Sequence, residues 1–353
     1  MTENGSAFRF DATWRDFAPI AFTNLALTIV TLGIYRFWAK ARERRFLWSR
    51  TTFIDEPLEW TGTGKELFLG FLLALLLFAL PLFLLQFLLQ GLIFRGQPVL
   101  AGLLIGALYF LLIALAGVAR FRALRYRLSR TLWHGIRGGS DDPGLRYGGE
   151  YLGRTLLATL SLGFAIPWAM TRLWNGRMNR MSFGSEPISA RADWRPLLGR
   201  FLLFYLLPII AIVALGVLGG VAVVAGAAPS GEAGAALIAF LFFVVFYGLL
   251  GLIALRYFAA FYREALSKTQ WAGLEFGFSA RTRDWVRLFL GNIALVVLTL
   301  GVGLIFLSYR NWSFAMRHMQ AYGALDLDAL GQSQTRELRQ GEGLLDAFDM
   351  GAL

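Results

Sequence analysis

Residues 27 to 50 read LTIVTLGIYRFWAKARERRFLWSR, an apolar run that passes through Thr31-Leu32-Gly33 into an aromatic and then strongly basic helical tail. Two shifts, by 130 and by 268 residues, align this part of the chain with later parts without a gap. The aligned ranges are 27–73 with 157–203, and 8–46 with 276–314. Because an internal repeat fixes an architecture before any single helix does, the sequence predicts three copies of one membrane-associated module.

Among the positions shared by all three modules are a leucine, the glycine that follows it, and an arginine nine residues after the glycine. They are Leu32, Leu162 and Leu300; Gly33, Gly163 and Gly301; and Arg42, Arg172 and Arg310. A glycine in the middle of an apolar run permits a backbone conformation forbidden to other residues, or allows another helix to approach closely. The three glycines are therefore candidate helix breaks, and both explanations remain open.

Composition indicates an integral membrane protein. The chain is 57% hydrophobic, has 16% charged residues and contains 31 Phe, whereas a soluble domain has nearer a quarter of charged residues. It has no cysteine, which excludes disulfides and thiolate chemistry, and its two histidines lack partners at metal-ligand spacing. No catalytic constellation is found. We therefore expect no enzyme activity, no cofactor and no metal site.

The expected fold class is an all-α, polytopic membrane protein with about seven apolar helical segments and short β-like hairpins on the cytoplasmic face. Four segments are expected to span fully: 67–94, 99–119, 201–228 and 233–255. The expected units are a first repeat with a two-span hairpin at 1–137, a second at 138–275, a partial third repeat at 276–323 and an acidic flexible tail at 324–353.

The distribution of the 34 lysines and arginines bears on topology. If all seven apolar segments cross the membrane, the basic residues divide almost evenly between the two sides, against the positive-inside bias. If the three modules fold back near their glycines, only Arg95 lies outside and both termini are cytoplasmic. Each module is also long enough to cross, so ordinary spans remain an alternative.

Three polar residues lie at equivalent positions inside the apolar runs: Asn24, Arg154 and Asn292. Such residues are costly in a membrane and often functional. They would line a transport site if the modules met there. Alternatively, they hydrogen-bond packed helices to one another.

The basic tails favour contact with anionic phospholipid headgroups. The candidate contact residues are Trp38, Lys40, Arg42, Arg44, Arg45, Arg172 and Arg310. The charge of +11 is spread over membrane-flanking segments without a nucleic-acid-binding motif, so no nucleic-acid partner is expected. A homo-oligomer remains open.

A short pattern, Ser-Arg/Lys-Thr, recurs where basic helices end and is followed by an aromatic residue. The three occurrences end at Thr51, Thr131 and Thr269, and the aromatic residues are Phe53, Trp133 and Trp271. One interpretation is a helix stop followed by an interfacial aromatic residue. The other is a shared platform of short strands on one side of the membrane.

The repeat resembles the YjgN-like family of bacterial inner-membrane proteins, whose function is unknown, and the resemblance covers nearly the whole chain. The resemblance is carried by Asn24-Leu25, LTIVTLGIY at 27–35, Trp38-Ala39-Lys40, Arg42, Arg44-Arg45 and TGTGKE at 61–66. The resemblance implies a multi-pass protein of the inner membrane. It indicates no activity and no binding residues for this chain. Two functions remain: a transporter or channel for a solute, or a non-catalytic membrane or envelope scaffold that binds anionic lipids or a cytoplasmic partner.

Overall fold

The computed structural model of the protein describes residues 7–76, 80–224, 231–327 and 329–336. Its helices form three hairpins and two longer excursions between them. The hairpins are α1 (Trp14–Val30) with α2 (Arg36–Ser49), α6 (Leu145–Leu160) with α7 (Ile166–Met178), and α11 (Thr282–Leu298) with α12 (Leu307–His318), the last pair joined through a 3-10 helix at Val302–Phe306. The excursions are α3 (Gly64–Ala74), α4 (Leu80–Phe94) and α5 (Pro98–Arg130), and α8 (Arg195–Phe201), α9 (Leu203–Val224) and α10 (Glu232–Ser267).

Three helical stretches are long and apolar enough to cross a membrane, judged by length and composition: Pro98–Arg130, Arg195–Gly219 and Ile238–Ser267. Three of the four expected full spans, 99–119, 201–228 and 233–255, therefore overlap such a stretch, and the first, 67–94, does not do so within the described residues. The apolar helix Leu82–Phe94 is shorter, and at 1.5 Å per residue it covers about 20 Å of a core roughly 30 Å thick. Parts of two expected spans, residues 77–79 and 225–230, lie outside the described residues.

Two antiparallel sheets show that the expected all-α fold class is wrong. Three strands form the first, in the order β1 (Phe8–Phe10), β2 (Thr51–Phe53), β3 (Glu56–Pro57). Eight form the second, which runs in reverse chain order from β11 to β4: β4 (Glu59–Trp60), β5 (Thr131–Trp133), β6 (Ile136–Gly139), β7 (Ser182–Phe183), β8 (Glu186–Ala190), β9 (Thr269–Trp271), β10 (Leu274–Phe278) and β11 (Met319–Tyr322). Strands of two to five residues are too short to produce a clear alternating pattern in the sequence.

The two sheets make one continuous layer, which we call the platform. Strands β3 and β4 are separated only by Leu58, whose amide donates to the Thr51 carbonyl at 2.8 Å. At the other end β1 lies beside β11, and the Phe8 and Phe276 ring centroids are 6.5 Å apart. One buried cluster forms the platform core: Phe53, Trp133, Trp271, Leu274 and Ala321. The aromatic residues after the Ser-Arg/Lys-Thr pattern are therefore core residues of a strand layer, as the second interpretation proposed.

Every helical segment between two platform strands begins and ends at residues that pair with each other. The flanking pairs are Phe10 with Thr51 and Trp60 with Thr131, then Gly139 with Ser182, Ala190 with Thr269, and Phe278 with Met319. These pairs enclose, in turn, the first hairpin, the first excursion, the second hairpin, the second excursion and the third hairpin. Each of the five segments therefore leaves the platform and returns to the same place.

A tryptophan from each hairpin joins its second helix to the first residue of a strand. In each case the indole N–H donates to a threonine hydroxyl: Trp48 to Thr131 at 2.9 Å, Trp174 to Thr269 at 3.3 Å and Trp312 to Thr51 at 2.8 Å. Each threonine hydroxyl in turn donates to the carbonyl four residues before it, at 2.7 to 2.8 Å. The recurring threonine thus ends one helix and binds a tryptophan from another.

The hairpins do not pack equivalently. The first and third pack on each other, with stacked rings of Phe17 and Tyr309 at 5.5 Å and of Trp48 and Trp312 at 4.1 Å. The second packs against α5, and a Cβ built on Gly148 would lie 2.5 Å from the Val118 side chain. Glycine permits this close approach of α5 and α6. The second hairpin therefore sits apart from the pair formed by the other two.

The beginning of the expected acidic tail lies against the platform. The Ser185 amide donates to the Gly331 carbonyl at 3.0 Å, and the Arg137 amide donates to the Gln332 side chain at 3.1 Å. Leu325 and Leu330 pack on the platform core. Residues 337–353 lie outside the described residues.

Candidate functional site

The tips of the three hairpins have one backbone conformation. The shared leucine takes a left-handed conformation, with φ of 50° at Leu32, 52° at Leu162 and 50° at Leu300. The glycine that follows has φ of 90° at Gly33, 92° at Gly163 and 92° at Gly301. Few residues other than glycine adopt φ near +90° without strain. The helix ends at each tip for this reason, and a second helix returns beside the first.

The amide donors of the first tip are all satisfied within the turn. The donor and acceptor pairs are Thr31 to Leu27, Leu32 to Ile29, Gly33 to Thr28, Ile34 to Thr31, Tyr35 to the Thr31 hydroxyl, and Arg36 to Gly33, at 2.7 to 3.3 Å. The Gly33 bond reaches back five residues and the Leu32 bond three, which is the Schellman arrangement of a helix C-terminus. The Thr31 hydroxyl satisfies an amide that a turn otherwise exposes to solvent.

The other two tips repeat this pattern of bonds. All amides from Ser161 to Ile166 and from Thr299 to Leu304 donate within their own turns. The Ser161 hydroxyl accepts from Ala165 at 2.9 Å, and the Thr299 hydroxyl accepts from Gly303 at 2.7 Å. In hydrocarbon each unsatisfied backbone donor costs several kcal/mol, so this turn is chemically suited to a lipid environment.

The tips expose leucine where a soluble protein would place glycine. Leu32 is 94% exposed, Leu162 80% and Leu300 95%, although each occupies a left-handed position that costs roughly 1–2 kcal/mol for a residue with a Cβ. The residues two positions earlier are equally exposed and apolar: Val30, Leu160 and Leu298. The exposure and the backbone strain of these leucines have a physical explanation if lipid covers the three tips.

The shared arginines fix how far each tip can enter a bilayer. Arg42, Arg172 and Arg310 all lie ten residues after the tip leucine, which is roughly 15 Å along a helix, or half of the roughly 30 Å hydrocarbon core. Arg42 and Arg172 are exposed. Arg36 lies nearer to its tip, but its guanidinium stands over the Phe37 and Phe71 rings at 4.8 and 5.0 Å. The part of each hairpin between its tip and this arginine therefore has about the length of one leaflet.

The three candidate polar residues each bind within their own hairpin and do not come together. The buried Asn24 amide donates to the Ala39 carbonyl at 3.3 Å, and the Arg154 guanidinium donates to the Arg172 carbonyl at 3.1 Å. Asn292 donates to the Asn311 side chain at 3.0 Å and accepts from Arg310 at 2.7 Å. In each case the bond crosses from the first helix of the hairpin to the second. This arrangement matches the second interpretation of these residues, in which they join packed helices.

Arg154 also belongs to a cluster of charges at the base of the second hairpin. Its guanidinium lies 3.2 Å from the Glu150 carboxylate, which also binds Arg180. Burial opposes ionisation of Glu150, but the hydrogen bond and charge of Arg180, with the charges of Arg154 and Arg146, lower the pKa of the Glu150 carboxyl below its ordinary value. The Glu150 carboxylate therefore remains charged at neutral pH.

A cavity of about 540 Å³ lies between the first and third hairpins. Its two principal walls, α2 and α12, contribute residues at positions equivalent under the 268-residue shift. These pairs are Lys40 and Ser308, Glu43 and Asn311, Arg44 and Trp312, Leu47 and Ala315, and Trp48 and Met316. Asn292 and Trp285 of α11, Arg127 of α5 and Tyr262 of α10 complete its polar and aromatic lining.

The buried polar atoms that have no hydrogen-bond partner among the described residues include the indole N–H of Trp285 and the hydroxyl of Ser308, two residues that line the cavity. A buried donor left without a partner costs roughly 1–3 kcal/mol. The cavity therefore presents donors that a bound oxygen atom would satisfy. Ser308 occupies the position of Lys40 in the third module, and this alignment was the one signal in the sequence that pointed to it.

The candidate headgroup residues fall into two groups. Arg42, Arg45 and Arg172 are exposed, and Trp38 is partly exposed and packs on Phe68 with ring centroids 5.5 Å apart. Lys40 and Arg44 instead line the cavity, and the buried Arg44 guanidinium lies 5.0 Å from the Trp60 ring. Of the predicted residues, the structure thus brings together Lys40, Arg44 and Asn292.

Comparison with known proteins gives a family but no activity. One relative is the inner membrane protein YjgN of Salmonella typhimurium, which is 31% identical over 120 residues; the alignment covers 34% of this chain and 27% of the relative. The chain therefore matches only about a quarter of that relative's length. No solved structure matches the chain significantly. A family model described as bacterial protein of unknown function, DUF898, matches residues 5–347, and the chain belongs to this family.

Proposed function

We propose that the protein is a non-catalytic, multi-pass scaffold of the bacterial inner membrane. In this proposal three hairpins enter the cytoplasmic leaflet and fold back, and the platform lies against the headgroups on the same side. The name of the YjgN relative supports the inner-membrane location. The platform would then present a rigid surface to lipids or to a cytoplasmic partner.

The pairing of residues that flank each helical segment carries this proposal. A sheet with its backbone hydrogen bonds cannot be divided across a bilayer, so each of the five segments between paired residues crosses an even number of times. A hairpin with one tip, of which only the part beyond its shared arginine enters one leaflet, meets this condition without crossing at all. Seven ordinary spans would separate strand partners such as Phe10 and Thr51 onto opposite sides.

Charge supports the same orientation. With the platform inside, Arg95 is the only basic residue on the far side among the residues that the structure describes, as the positive-inside bias requires. The exposed Arg42 and Arg172 would lie at headgroup depth, where each basic residue gains roughly 1 kcal/mol from anionic lipid.

The transport alternative has less support. It required Asn24, Arg154 and Asn292 to line one meeting point, and each instead bonds to the partner helix of its own hairpin. The scaffold requires only that the hairpins hold together, which these bonds accomplish. For this reason we favour the scaffold.

Reporter insertions test the orientation. A reporter that is active only outside the inner membrane should be active when inserted at Gln97 or Gly231, in the turns farthest from the platform. It should be silent at Gly62, Ser140, Ser185 and Gly273, which adjoin platform strands. Activity at Ser185 or Gly273 would contradict the one-sided arrangement and restore ordinary spans. A fusion that is active only in the cytoplasm, inserted at the same sites, provides the reciprocal control.

A further inference from the structure

The cavity between the first and third hairpins has the features of a ligand site. We propose that it binds the phosphate headgroup of an anionic phospholipid from the surrounding leaflet. The depth of the site rests on the proposed insertion of the hairpins. Its charge and its donors are independent of that insertion.

The lining carries a net positive charge beside apolar walls. Lys40, Arg44 and Arg127 line the cavity with one carboxylate, that of Glu43. Leucine and phenylalanine side chains from α2, α10, α11 and α12 form the rest of the wall. Cationic donors select a phosphate, whereas the apolar surface suits the glycerol and first methylenes of a lipid. A volume of about 540 Å³ lies within the usual range for a small-molecule site.

The two unpartnered donors indicate a ligand with oxygen acceptors. The Trp285 indole can only donate, so no rearrangement of its own proton relieves its burial. Its ring is held by stacking on Tyr262 at 5.5 Å and by edge contact with Phe314 at 5.0 Å. Trp285 lies fifteen residues before the tip leucine and Ser308 lies eight residues after it, so along the helices the two donors differ in depth by roughly 10 Å. A phosphate oxygen beside Ser308 and a hydroxyl oxygen of a glycerol headgroup beside Trp285 would therefore satisfy one donor each.

In the proposed orientation, the depth of the cavity in the bilayer matches the depth of the lipid headgroups. Lys40 and Ser308 each lie eight residues beyond a tip leucine, roughly 12 Å along the helix, and Asn292 lies eight residues before one. With the tips at mid-bilayer, this depth is the boundary between acyl chains and headgroups. A lipid could therefore enter sideways without leaving its leaflet.

The second hairpin has no equivalent site. Its α7 residues at the corresponding positions pack directly on α10, with Tyr257 donating to the Met170 sulfur at 3.5 Å and the Trp174 and Phe261 rings 6.1 Å apart. Positions that are polar in α2 and α12 are thus filled by apolar contacts there. The proposal is for one lipid per chain.

The experiment uses the purified, delipidated full chain in neutral detergent, titrated with dioctanoyl phosphatidylglycerol. Dioctanoyl phosphatidylcholine and inorganic phosphate are the comparison ligands, and binding is measured by native mass spectrometry and by the shift in Tm. Trp285→Phe keeps the stacked ring but removes the donor, and it should weaken phosphatidylglycerol binding several-fold, as expected for one hydrogen bond to a neutral headgroup hydroxyl. Ser308→Ala and Lys40→Gln should each weaken it several-fold.

Arg50→Gln is the matched control, because it removes the same charge as Lys40→Gln at an exposed position directly after the same helix. It should change binding less than twofold. Without lipid, Trp285→Phe should melt at or above the wild-type Tm, since a buried unpaired donor has been removed.

Equal effects of Arg50→Gln and Lys40→Gln, or unchanged binding by Trp285→Phe, would overturn the site. Binding of inorganic phosphate as tight as that of phosphatidylglycerol would overturn its assignment to lipid. Either result leaves the reporter experiment unaffected, so failure of the lipid site is distinguishable from failure of the scaffold proposal.

Discussion

Replacing Leu32 with aspartate should destabilise the bilayer-embedded protein by about 3 kcal/mol, and the same change at Leu162 or Leu300 should have a similar effect. The reason is the cost of placing a carboxylate near the bilayer centre, which is about 2.5–3.5 kcal/mol per residue. In water the effect would have the opposite sign. Leucine at these positions is exposed and left-handed, and aspartate tolerates that conformation better. The sign of the change therefore distinguishes lipid from water at each tip.

Two controls accompany this comparison. Leu32→Gly removes the side chain and also relieves the left-handed strain of roughly 1–2 kcal/mol, so it should be far less harmful than aspartate. Leu145→Asp alters a leucine that is 64% exposed at the base of the second hairpin, and it should stay within about 0.5 kcal/mol of the wild type. Unfolding free energies in lipid bicelles provide the measurement. An unchanged or increased stability of Leu32→Asp would exclude a lipid-embedded first tip.

Replacing Gly163 with valine should destabilise the protein more than replacing Gly33 with valine, although both glycines have nearly the same φ. The shared strain of a β-branched residue at this φ is roughly 1–3 kcal/mol. At Gly33 a Cβ meets nothing within 4 Å, so strain acts alone. At Gly163 a Cβ lies 2.5 Å from the Tyr205 hydroxyl, which donates to the Leu162 carbonyl at 2.7 Å. Overpacking adds roughly 1–3 kcal/mol there.

The two variants are compared with the wild type by unfolding in the same bicelles. Gly163→Val/Tyr205→Phe removes the hydroxyl that a new Cβ would meet and should recover part of the difference. Equal losses of unfolding free energy in Gly33→Val and Gly163→Val would show that the contact with Tyr205 adds no steric cost at the second tip. A loss below about 0.5 kcal/mol at both sites would mean that the left-handed turn is not required.

The tips could be anticipated from the sequence because one residue type governs the backbone there. A glycine in mid-run, preceded by leucine and by threonine or serine, recurs at Gly33, Gly163 and Gly301, and only a few helix terminations fit such a pattern. The sequence left open whether the glycines break a helix or allow close packing. Backbone angles near +90° at all three resolve that choice in favour of the break.

The platform could not be anticipated with the same certainty. Its strands have two to five residues, and partners such as Gly139 and Ser182 come from distant parts of the chain. An alternation of apolar and polar residues cannot identify such pairs, because these strands are too short to show it. Each strand forms because it packs and pairs with the adjacent strands of the platform. The recurring Ser-Arg/Lys-Thr triplet was the usable signal, since its threonine ends a helix and starts a strand each time.

The cavity could not be predicted from the sequence, because it forms where two hairpins pack together. Aligned positions show that Lys40 corresponds to Ser308 and to Met170, but not which hairpins lie together. The close approach of α5 and α6 at Gly148 holds the second hairpin away, and ring stacking of Phe17 on Tyr309 joins the other two. Asn292 was predicted for a shared transport site, yet its immediate partners are Asn311 and Arg310 of its own hairpin.

Insertion of all three tips into one leaflet is tested most directly by measuring their depth with single spin labels. The chain has no cysteine, so Leu32→Cys, Leu162→Cys and Leu300→Cys each give one labelling site in an otherwise unchanged protein. In liposomes all three labels should be accessible to oxygen, shielded from a water-soluble nickel chelate, and equally deep, about 15 Å below the headgroups. A label at Ser49, beside the platform, should be open to the chelate. Exposure of any tip label to the chelate, or different depths among the three, would contradict the one-sided arrangement.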